Sequence, residues 1–241
     1  MLTQPQLETR NWVNTRNTAL SSLSHADAAL LAPHLQLVEL PRDHRLERKG
    51  RPCEYVYFID RGAACVFSED LGGQGVEVGM VGREGIVGVA ALLGAKQHAY
   101  DTQMLAPGAA RRAPISAVRE AMDDSPSLRR VLNGYVRRFL LQTMRTAQVN
   151  ARATLEMRLA RWLLMMHDRV DGDEHHMTHE RLASVLGVRR AGVSVAAKKL
   201  ERADIVLLHR GSIVIRDRAQ LEESSGGTYG ASDRLARAAA M

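Results

Sequence analysis

The chain has 241 residues, of which 45% are hydrophobic and 25% are charged, so it can bury a core and is not disordered as a whole. Its formal net charge of +6 favours an anionic partner. Neither a signal sequence nor a membrane-spanning hydrophobic run is present, and the only cysteines are Cys53 and Cys65. We therefore expect a cytoplasmic protein, without membrane contact, whose two thiols are free.

Residues 20–124 are predicted to form a β-rich domain of the jelly-roll type. A short helix comes first, with Ser24 as its N-cap. From residue 37 the hydrophobic period changes to two, and the strongest strand covers residues 55–59, closed by the turn sequence DRG. Many short strands separated by regular turn signals are typical of barrels and jelly rolls.

Residues 125–150 are predicted to form a long dimerisation helix that begins at Ser125-Pro126. Seven residues follow a 4-3 spacing that is typical of a coiled-coil seam. They are Leu128, Leu132, Tyr135, Phe139, Gln142, Thr146 and Val149. A helix that packs on its own domain is the alternative, but the arginines on the other face favour a narrow seam that meets a second copy.

Residues 151–218 are predicted to form a DNA-binding domain with a helix-turn-helix. The apolar residues of 182–186 line one face of a short helix, Gly187 ends it, and a second amphipathic helix follows at once. This is the length and composition of a helix-turn-helix unit, whose second helix enters the DNA major groove. An ordinary helical hairpin with a solvated basic face is the alternative.

A wing and a tail complete this prediction. Two β-rich runs, 205–208 and 212–215, surround the turn His209-Arg210-Gly211 and predict a small hairpin beside the helix pair. After residue 218 the sequence becomes rich in Ser and Gly, so residues 219–241 are predicted to be disordered.

The residues expected to contact double-stranded DNA lie on the second helix and the wing. Between residues 178 and 218, nine lysines and arginines stand against four acidic residues. Arg189 and Arg190 open the second helix and are placed to read guanine, and Ser194 lies one turn further on. The predicted phosphate contacts are Lys198, Lys199 and Arg210.

No enzymatic activity, cofactor or metal site is expected. The histidines of the β-rich domain, His44 and His98, are isolated, whereas a cupin-type enzyme needs clustered His and Glu on adjacent strands. Residues 167–179 contain four histidines and several acidic residues, where a solvated connector is favoured over a metal site. An effector-binding adaptor whose helix-turn-helix contacts a protein is a second hypothesis, although its exposed helix face lacks large apolar anchors.

Five stretches of sequence, taken in order, carry a family resemblance. They are VYFIDRG (56–62), VEVGMVGREGIVG (76–88), RLARWLL (158–164), LASVLGVRRAGVSVAAKKLERADIV (182–206) and RGSIVIRD (210–217). Together they resemble the Crp/Fnr family, the relatives of the bacterial cAMP receptor. The resemblance implies an α+β fold with a cyclic-nucleotide-binding-like sensor domain. It also implies a homodimeric transcription regulator that binds a palindromic operator and contacts RNA polymerase.

The sensor domain departs from the family members that bind cyclic nucleotides. In those members a Glu holds the ribose and an Arg-Ser pair holds the cyclic phosphate. Here Val89 stands in place of the Glu, and the Arg-Ser position falls within residues 99–101. Because the charge-assisted arginine clamp is missing, we expect an effector other than cAMP. The candidate residues for an effector pocket are Gly85, Gly88, Val89, Tyr100 and Thr143.

Two further properties of the family do not transfer to this chain. An oxygen-sensing iron–sulfur cluster needs four thiolates, and the chain has two cysteines. Family members usually carry a Glu and a later Arg among the base-reading residues, and these places hold Ala191 and Val195. The operator sequence is therefore not predicted.

Overall fold

The computed structural model describes residues 15–69, 75–230 and 233. Its N-terminal part contains α1 (Thr18–Ser21), α2 (His25–Leu31), a 3₁₀ turn (Ala32–His34), β1 (Gln36–Leu40), β2 (Arg45–Glu47), β3 (Tyr55–Glu69), β4 (Gly75–Val81), β5 (Ile86–Val87), α3 (Val89–Leu92), β6 (Asp101–Pro114) and α4 (Ile115–Asp124). The C-terminal part contains α5 (Pro126–Arg152), α6 (Leu155–His167), β7 (Glu174–His175), α7 (His179–Leu186), α8 (Arg190–Arg202), β8 (Val206–His209), β9 (Ser212–Ile215) and α9 (Arg218–Ser224). A β domain, a long helix and a winged helix-turn-helix confirm the predicted fold class. Within the described ranges, no helix is long and apolar enough to cross a membrane.

The β domain is an antiparallel sheet rolled around two long strands. The strand order is β1-β6-β3-β4, with β2 paired to β6 and β5 paired to β3. β3 and β6 pair along most of their length, and their register shifts three times between Ile59 and Ala64. At this level Gly62 has a φ of +86°, and a Cβ on Gly108 would collide with the Arg61 carbonyl. The bulges and glycines bend both strands together, which curves the sheet into a roll.

A buried carboxylate joins the first helices to the start of α5. Ser24 caps α2 by accepting a hydrogen bond from Asp27 N (3.1 Å), and Ser125 caps α5 by accepting one from Leu128 N (3.2 Å). The Asp27 carboxylate accepts hydrogen bonds from Ser127 Oγ (2.8 Å) and Ser125 Oγ. Ser24 Oγ also donates to this carboxylate (2.8 Å), and the bonds from Ser125 first and Ser24 second lower the pKa of Asp27. The predicted N-cap Ser24 and the predicted start of the long helix at Ser125-Pro126 are confirmed.

The long helix α5 covers most of the predicted span, but its apolar seam faces its own chain. Leu128 and Leu132 are fully buried in the core of the β domain, and Phe139 is half-buried against the same core. Gln142 Oε1 accepts a hydrogen bond from Met80 N of β4 (2.8 Å). The prediction that the seam faces a second copy is therefore wrong for its buried members. They are Leu128, Leu132, Tyr135, Gln142, Thr146 and Val149.

The opposite face of α5 also carries apolar residues. Leu140, Leu141 and Met144 are 51%, 45% and 59% exposed, and they lie among the arginines of that face. A heptad repeat requires only that an apolar stripe be covered, and here the chain itself covers it. The face left open for another molecule is the one with these three residues.

The β domain and the C-terminal domain share a hydrophobic core. Met80 and Leu105 of the β domain belong to one cluster with residues of α6, α7 and α8. Within this contact the Glu77 carboxylate accepts hydrogen bonds from Trp162 Nε1 (2.7 Å) and Cys65 Sγ (3.1 Å). Burial raises the pKa of Glu77. The helix-turn-helix domain is therefore packed directly on the sheet, and the buried carboxylate of Glu77 at this contact is hydrogen-bonded.

The segment after the wing folds back onto the chain. α9 packs on α6, and the fully buried Asp233 forms an ion pair with Arg161 (2.9 Å). The prediction of a disordered tail is therefore wrong for residues 219–230, because buried contacts hold a segment whose composition is polar. The other tail residues, 231–232 and 234–241, lie outside the described residues.

The connector before α7 contains a strand that the sequence did not reveal. β7 pairs with β9 of the wing. His175 on β7 is buried, and neither of its ring nitrogens has a hydrogen-bond partner within the described residues. Burial is the main cause that lowers the pKa of His175 to about 4, and the nearby His167 lowers it further. The folded chain therefore holds this imidazole in its neutral form at neutral pH.

Acidification is expected to destabilise the fold through His175. The pKa in the folded state is about 4 and the unfolded value is about 6.5, so the unfolded chain binds the extra proton. The neutral imidazole contributes its full share of the unfolding free energy above about pH 6.5. This contribution is lost as the pH falls from about 6.5 to about 4. On acidification through this range, the unfolding free energy of the wild-type protein should fall by about 3 kcal/mol more than that of His175→Leu.

Urea unfolding at several pH values measures this difference. His176→Leu is the matched control. His176 is the exposed chain neighbour of His175, so its replacement should leave the wild-type pH dependence intact. Identical pH dependence in the wild-type protein and His175→Leu would contradict the assignment.

Candidate nucleic-acid interface and sensor cavity

The predicted helix-turn-helix is formed by α7 and α8. Thr178 caps α7 by accepting a hydrogen bond from Arg181 N (3.1 Å), and Gly187 ends it in the left-handed conformation, with a φ of +63°. α8 then begins at Arg190 and buries one face against α6 and α7. The buried residues of α8 are Val193, Ala196, Ala197 and Leu200. Because α8 has no acidic residue in its first turn, its N-terminal end is open to an anion.

Arg189 and Arg190 are both exposed at this N-terminal end. The Arg189 side chain makes no capping hydrogen bond to the helix. Arg190 Nε lies 3.8 Å from Glu180 Oε2, and both side chains are mostly exposed, so this ion pair contributes little. Two accessible guanidinium groups at a helix N-terminus suit a phosphate or a guanine edge.

The wing brings a third arginine to the same side. β8 and β9 are joined through Gly211, which has a φ of +89°, and Arg210 is exposed at the tip of this hairpin. A cleft of about 400 Å³ between the wing and the start of α7 is lined by both Arg190 and Arg210. The structure therefore brings together two predicted DNA contacts that lie far apart in the sequence.

Ser194 is less available than the sequence indicates. Its Oγ donates to the Arg190 carbonyl oxygen (3.2 Å) and lies 2.9 Å from His179 Nδ1. The hydroxyl proton is therefore used within the chain, and His179 is a neighbour of the predicted DNA-binding residues that no sequence signal identified. Val195, which was placed at a base-reading position from the sequence without being assigned a contact, is 61% exposed on this helix, and its apolar side chain suits a thymine methyl group.

Lys198 and Lys199 form exposed ion pairs. Lys198 Nζ lies 3.4 Å from Glu201, and Lys199 Nζ lies 3.2 Å from Glu156 of α6. Exposed pairs of this kind contribute roughly 0–1 kcal/mol, so a phosphate can replace the carboxylate at little cost.

A cavity of about 220 Å³ lies between the rolled sheet, α3 and α5. Of the predicted effector residues, Gly88, Val89 and Tyr100 line it, whereas Gly85 and Thr143 do not. The rest of the lining is mainly apolar. It includes Val66, Val81, Ile86, Val87, Ala90, Leu93 and Phe139.

The two predicted residues outside the cavity have other roles. A Cβ on Gly85 would lie 2.5 Å from Tyr135 Oη, so this glycine lets α5 approach the sheet. Thr143 Oγ1 donates to the Leu140 carbonyl oxygen of its own helix (2.8 Å). Phe139 supplies the contact of α5 with the cavity instead, although the heptad pattern had assigned it to a dimer seam.

The polar edge of the cavity is formed by a histidine and a glutamate in close contact. His98 Nδ1 lies 3.0 Å from Glu47 Oε1, and the Thr102 hydroxyl also donates to Glu47. Within the described part of the chain, no lysine or arginine lines this cavity. A phosphate placed there would meet a carboxylate without a guanidinium clamp.

Comparison with known proteins agrees with both halves of this architecture. Residues 157–224 match the family described as Crp-like helix-turn-helix domain, and residues 37–125 match the family described as cyclic nucleotide-binding domain. The chain is 23% identical over 176 residues to the global nitrogen regulator of Nostoc sp.. That alignment covers 69% of this chain and 78% of the relative.

Solved structures of regulators show the same fold. A Crp/Fnr-family transcriptional regulator from Eubacterium rectale has a TM-score of 0.70 at 17% identity, with 88% of this chain and 99% of that chain covered. The regulator FixK2 from Bradyrhizobium japonicum has a TM-score of 0.67 at 20% identity, with 78% and 96% covered. The two domain families, their order and the shared fold place the chain among transcription regulators rather than enzymes. The chain belongs to the Crp/Fnr family of DNA-binding transcription regulators.

Proposed function

We propose that the chain binds a palindromic operator as a homodimer and regulates transcription there, in contact with RNA polymerase and under the control of a small molecule other than cAMP. The observation that carries this proposal is one exposed cationic face, formed by the start of α8 and the tip of the wing. Arg189, Arg190 and Arg210 lie on this face, and the last two line one cleft. Two such faces related by a two-fold axis suit half-sites about 34 Å apart, one turn of DNA.

Arg190 is the residue best placed to read a base. N-terminal residues of a recognition helix reach the base edges, and Arg pairs with guanine O6 and N7 through two hydrogen bonds. Lys199 lies more than two turns further along α8, where a phosphate contact is the expected role. The two positions therefore predict different defects.

Arg190→Ala is expected to weaken operator binding by about 1–3 kcal/mol and to relax one base position in each half-site. Lys199→Ala should weaken operator and random DNA alike, because a phosphate contact carries no sequence information. Selection from random DNA identifies the operator, and anisotropy titrations of both DNAs measure the losses. Arg216→Ala, which removes an exposed guanidinium that pairs with Asp204, is the control and should bind almost normally. Equal losses on both DNAs for Arg190→Ala would show that this residue only positions the helix.

The proposed dimer forms through the exposed face of α5. Leu140 and Met144 are four residues apart and therefore lie on one side of the helix, with Leu141 beside them. An exposed apolar stripe on a long helix suits pairing with the same stripe of a second copy. The buried seam is unavailable for this role because it is already covered by the chain's own β domain.

Met144→Asp is expected to convert the dimer into monomers at micromolar concentration. The substitution would place one carboxylate from each copy in an apolar contact, where desolvation costs several kcal/mol. Analytical ultracentrifugation measures the change. Asn150→Asp adds the same charge to an exposed position on another side of the helix, so it should remain dimeric. A dimeric Met144→Asp variant would mean that another surface holds the two copies together.

The cavity supports an effector that is largely apolar. Its lining is mostly aliphatic, and at its polar edge the Glu47 carboxylate lies beside His98, with no lysine or arginine among the described lining residues to hold a phosphate. The cavity of about 220 Å³ is larger than the roughly 150 Å³ void that can bind benzene. It therefore suits a small apolar molecule of about the size of benzene or somewhat larger. Phe139 lines the cavity and is the chain neighbour of Leu140, which would connect ligand binding to the proposed dimer contact.

Millimolar cAMP is expected to leave the melting temperature unchanged. A ligand at about 100 times its dissociation constant would add about 2.7 kcal/mol, which corresponds to a shift of several degrees. Thermal unfolding of the full-length protein with and without cAMP measures this. A saturable rise of several degrees would contradict the proposal that the effector is not cAMP.

A further inference from the structure

A second concave site lies on the outer surface of the β domain. This groove of about 510 Å³ runs between the turn at residues 48–51 and strand β3. The turn is held in place, since Gly50 N donates to the His98 carbonyl (2.8 Å) and His98 N donates to the Arg51 carbonyl (2.9 Å). His98 also lines the sensor cavity, so its contact with Glu47 (Nδ1 to Oε1, 3.0 Å) forms the wall between the two sites.

Three arginines whose guanidinium groups are unpaired within the described ranges line the groove. Arg45, Arg48 and Arg51 are exposed, and none of their guanidinium groups has a hydrogen bond or ion pair with another residue that the structure describes. By contrast, the exposed Arg61 on β3 of the same domain is paired with Glu39 (3.1 Å). Three unneutralised guanidinium groups around one groove favour an anion with more than one negative charge.

Two tyrosine rings, tilted by 54° to each other, lie beside these arginines. Tyr55 and Tyr57 both line the groove, and their ring centroids lie 6.3 Å apart. The guanidinium of Arg112 lies over one face of the Tyr55 ring, 4.7 Å from its centroid, and packs against that face. Aromatic rings next to guanidinium groups suit a ligand that carries both a planar ring and an anionic group.

We propose that this groove binds a small aromatic polyphosphate, with its phosphates on the three arginines and its ring against the tyrosines. The volume lies in the range of small-molecule sites. Glu54 lines the same groove, and Asp101 accepts a hydrogen bond from the neighbouring Lys49 N (3.2 Å). These carboxylates interrupt the positive surface, which favours a compact ligand over a nucleic-acid strand. A cyclic monophosphate has one charge and would leave most of the cationic groups unpaired.

Calorimetric titration of the full-length protein with ADP tests the proposal. We expect saturable binding that the double variant Arg48→Gln/Arg51→Gln weakens at least about tenfold, because it removes charge-assisted hydrogen bonds. The matched control is Arg61→Gln/Arg216→Gln, which removes the same charge elsewhere and should change the affinity by less than about twofold. Tyr55→Leu should weaken ADP binding but leave pyrophosphate binding unchanged. Melting curves of all variants establish that each is folded.

Several results would overturn the proposal. One is the absence of saturable ADP binding, and another is equal weakening by the two double variants, which would indicate bulk electrostatic attraction. If Tyr55→Leu weakened the binding of ADP and of pyrophosphate equally, the proposed contact between the ligand ring and Tyr55 would be wrong. Competition by polyglutamate at equal carboxylate concentration would assign the groove to an acidic polypeptide instead. None of these outcomes depends on whether the operator or the dimer has been assigned correctly.

Discussion

The relative placement of the functional parts depends on the burial of a single edge strand, β4. Its Met80 N donates to Gln142 of α5, and its Glu77 reaches α6 in the shared core. Val76 packs against the turn of the helix-turn-helix, where a Cβ on Gly187 would lie 2.9 Å from it. An exposed edge strand is a site of unwanted pairing, and here helices from both other parts of the chain lie against it. The long helix and the DNA-binding unit are thereby fixed to one element.

This arrangement gives the sensor cavity physical contact with both proposed outputs. Val81 of β4 and Phe139 of α5 line the cavity from two sides. A ligand that pushes Phe139 acts on the helix whose next residue, Leu140, belongs to the proposed dimer stripe. A ligand that moves Val81 acts on the strand that supports Gly187. Because a packed interior does not absorb small displacements locally, such shifts pass to both neighbours.

The parts of the fold that the sequence predicted well are those set by local chemistry. Ser24 and Ser125 act as N-caps because each bonds to a backbone N–H three residues on, and Gly187 ends α7 because its backbone is left-handed. Arg190 of the candidate site was also predictable from local chemistry, because it is the first residue of a helix that directly follows a glycine-ended one. The bond between Ser194 and His179 was not, since it joins two helices whose packing geometry a residue pattern does not specify.

The wrong predictions for α5 and the tail share one physical cause. Periodicity and composition state how much apolar or polar surface a segment has, but they do not state what covers it. Leu132 needed a cover, and the chain's own sheet supplied it instead of a second copy. Asp233 lies in a polar tail and yet is buried, because Arg161 offers it a partner inside the fold. The same reasoning gives the unpaired arginines their significance. The fold neutralises Arg161, whereas the guanidinium groups of Arg48, Arg51 and Arg210 have no partner among the described residues and are accessible to another molecule.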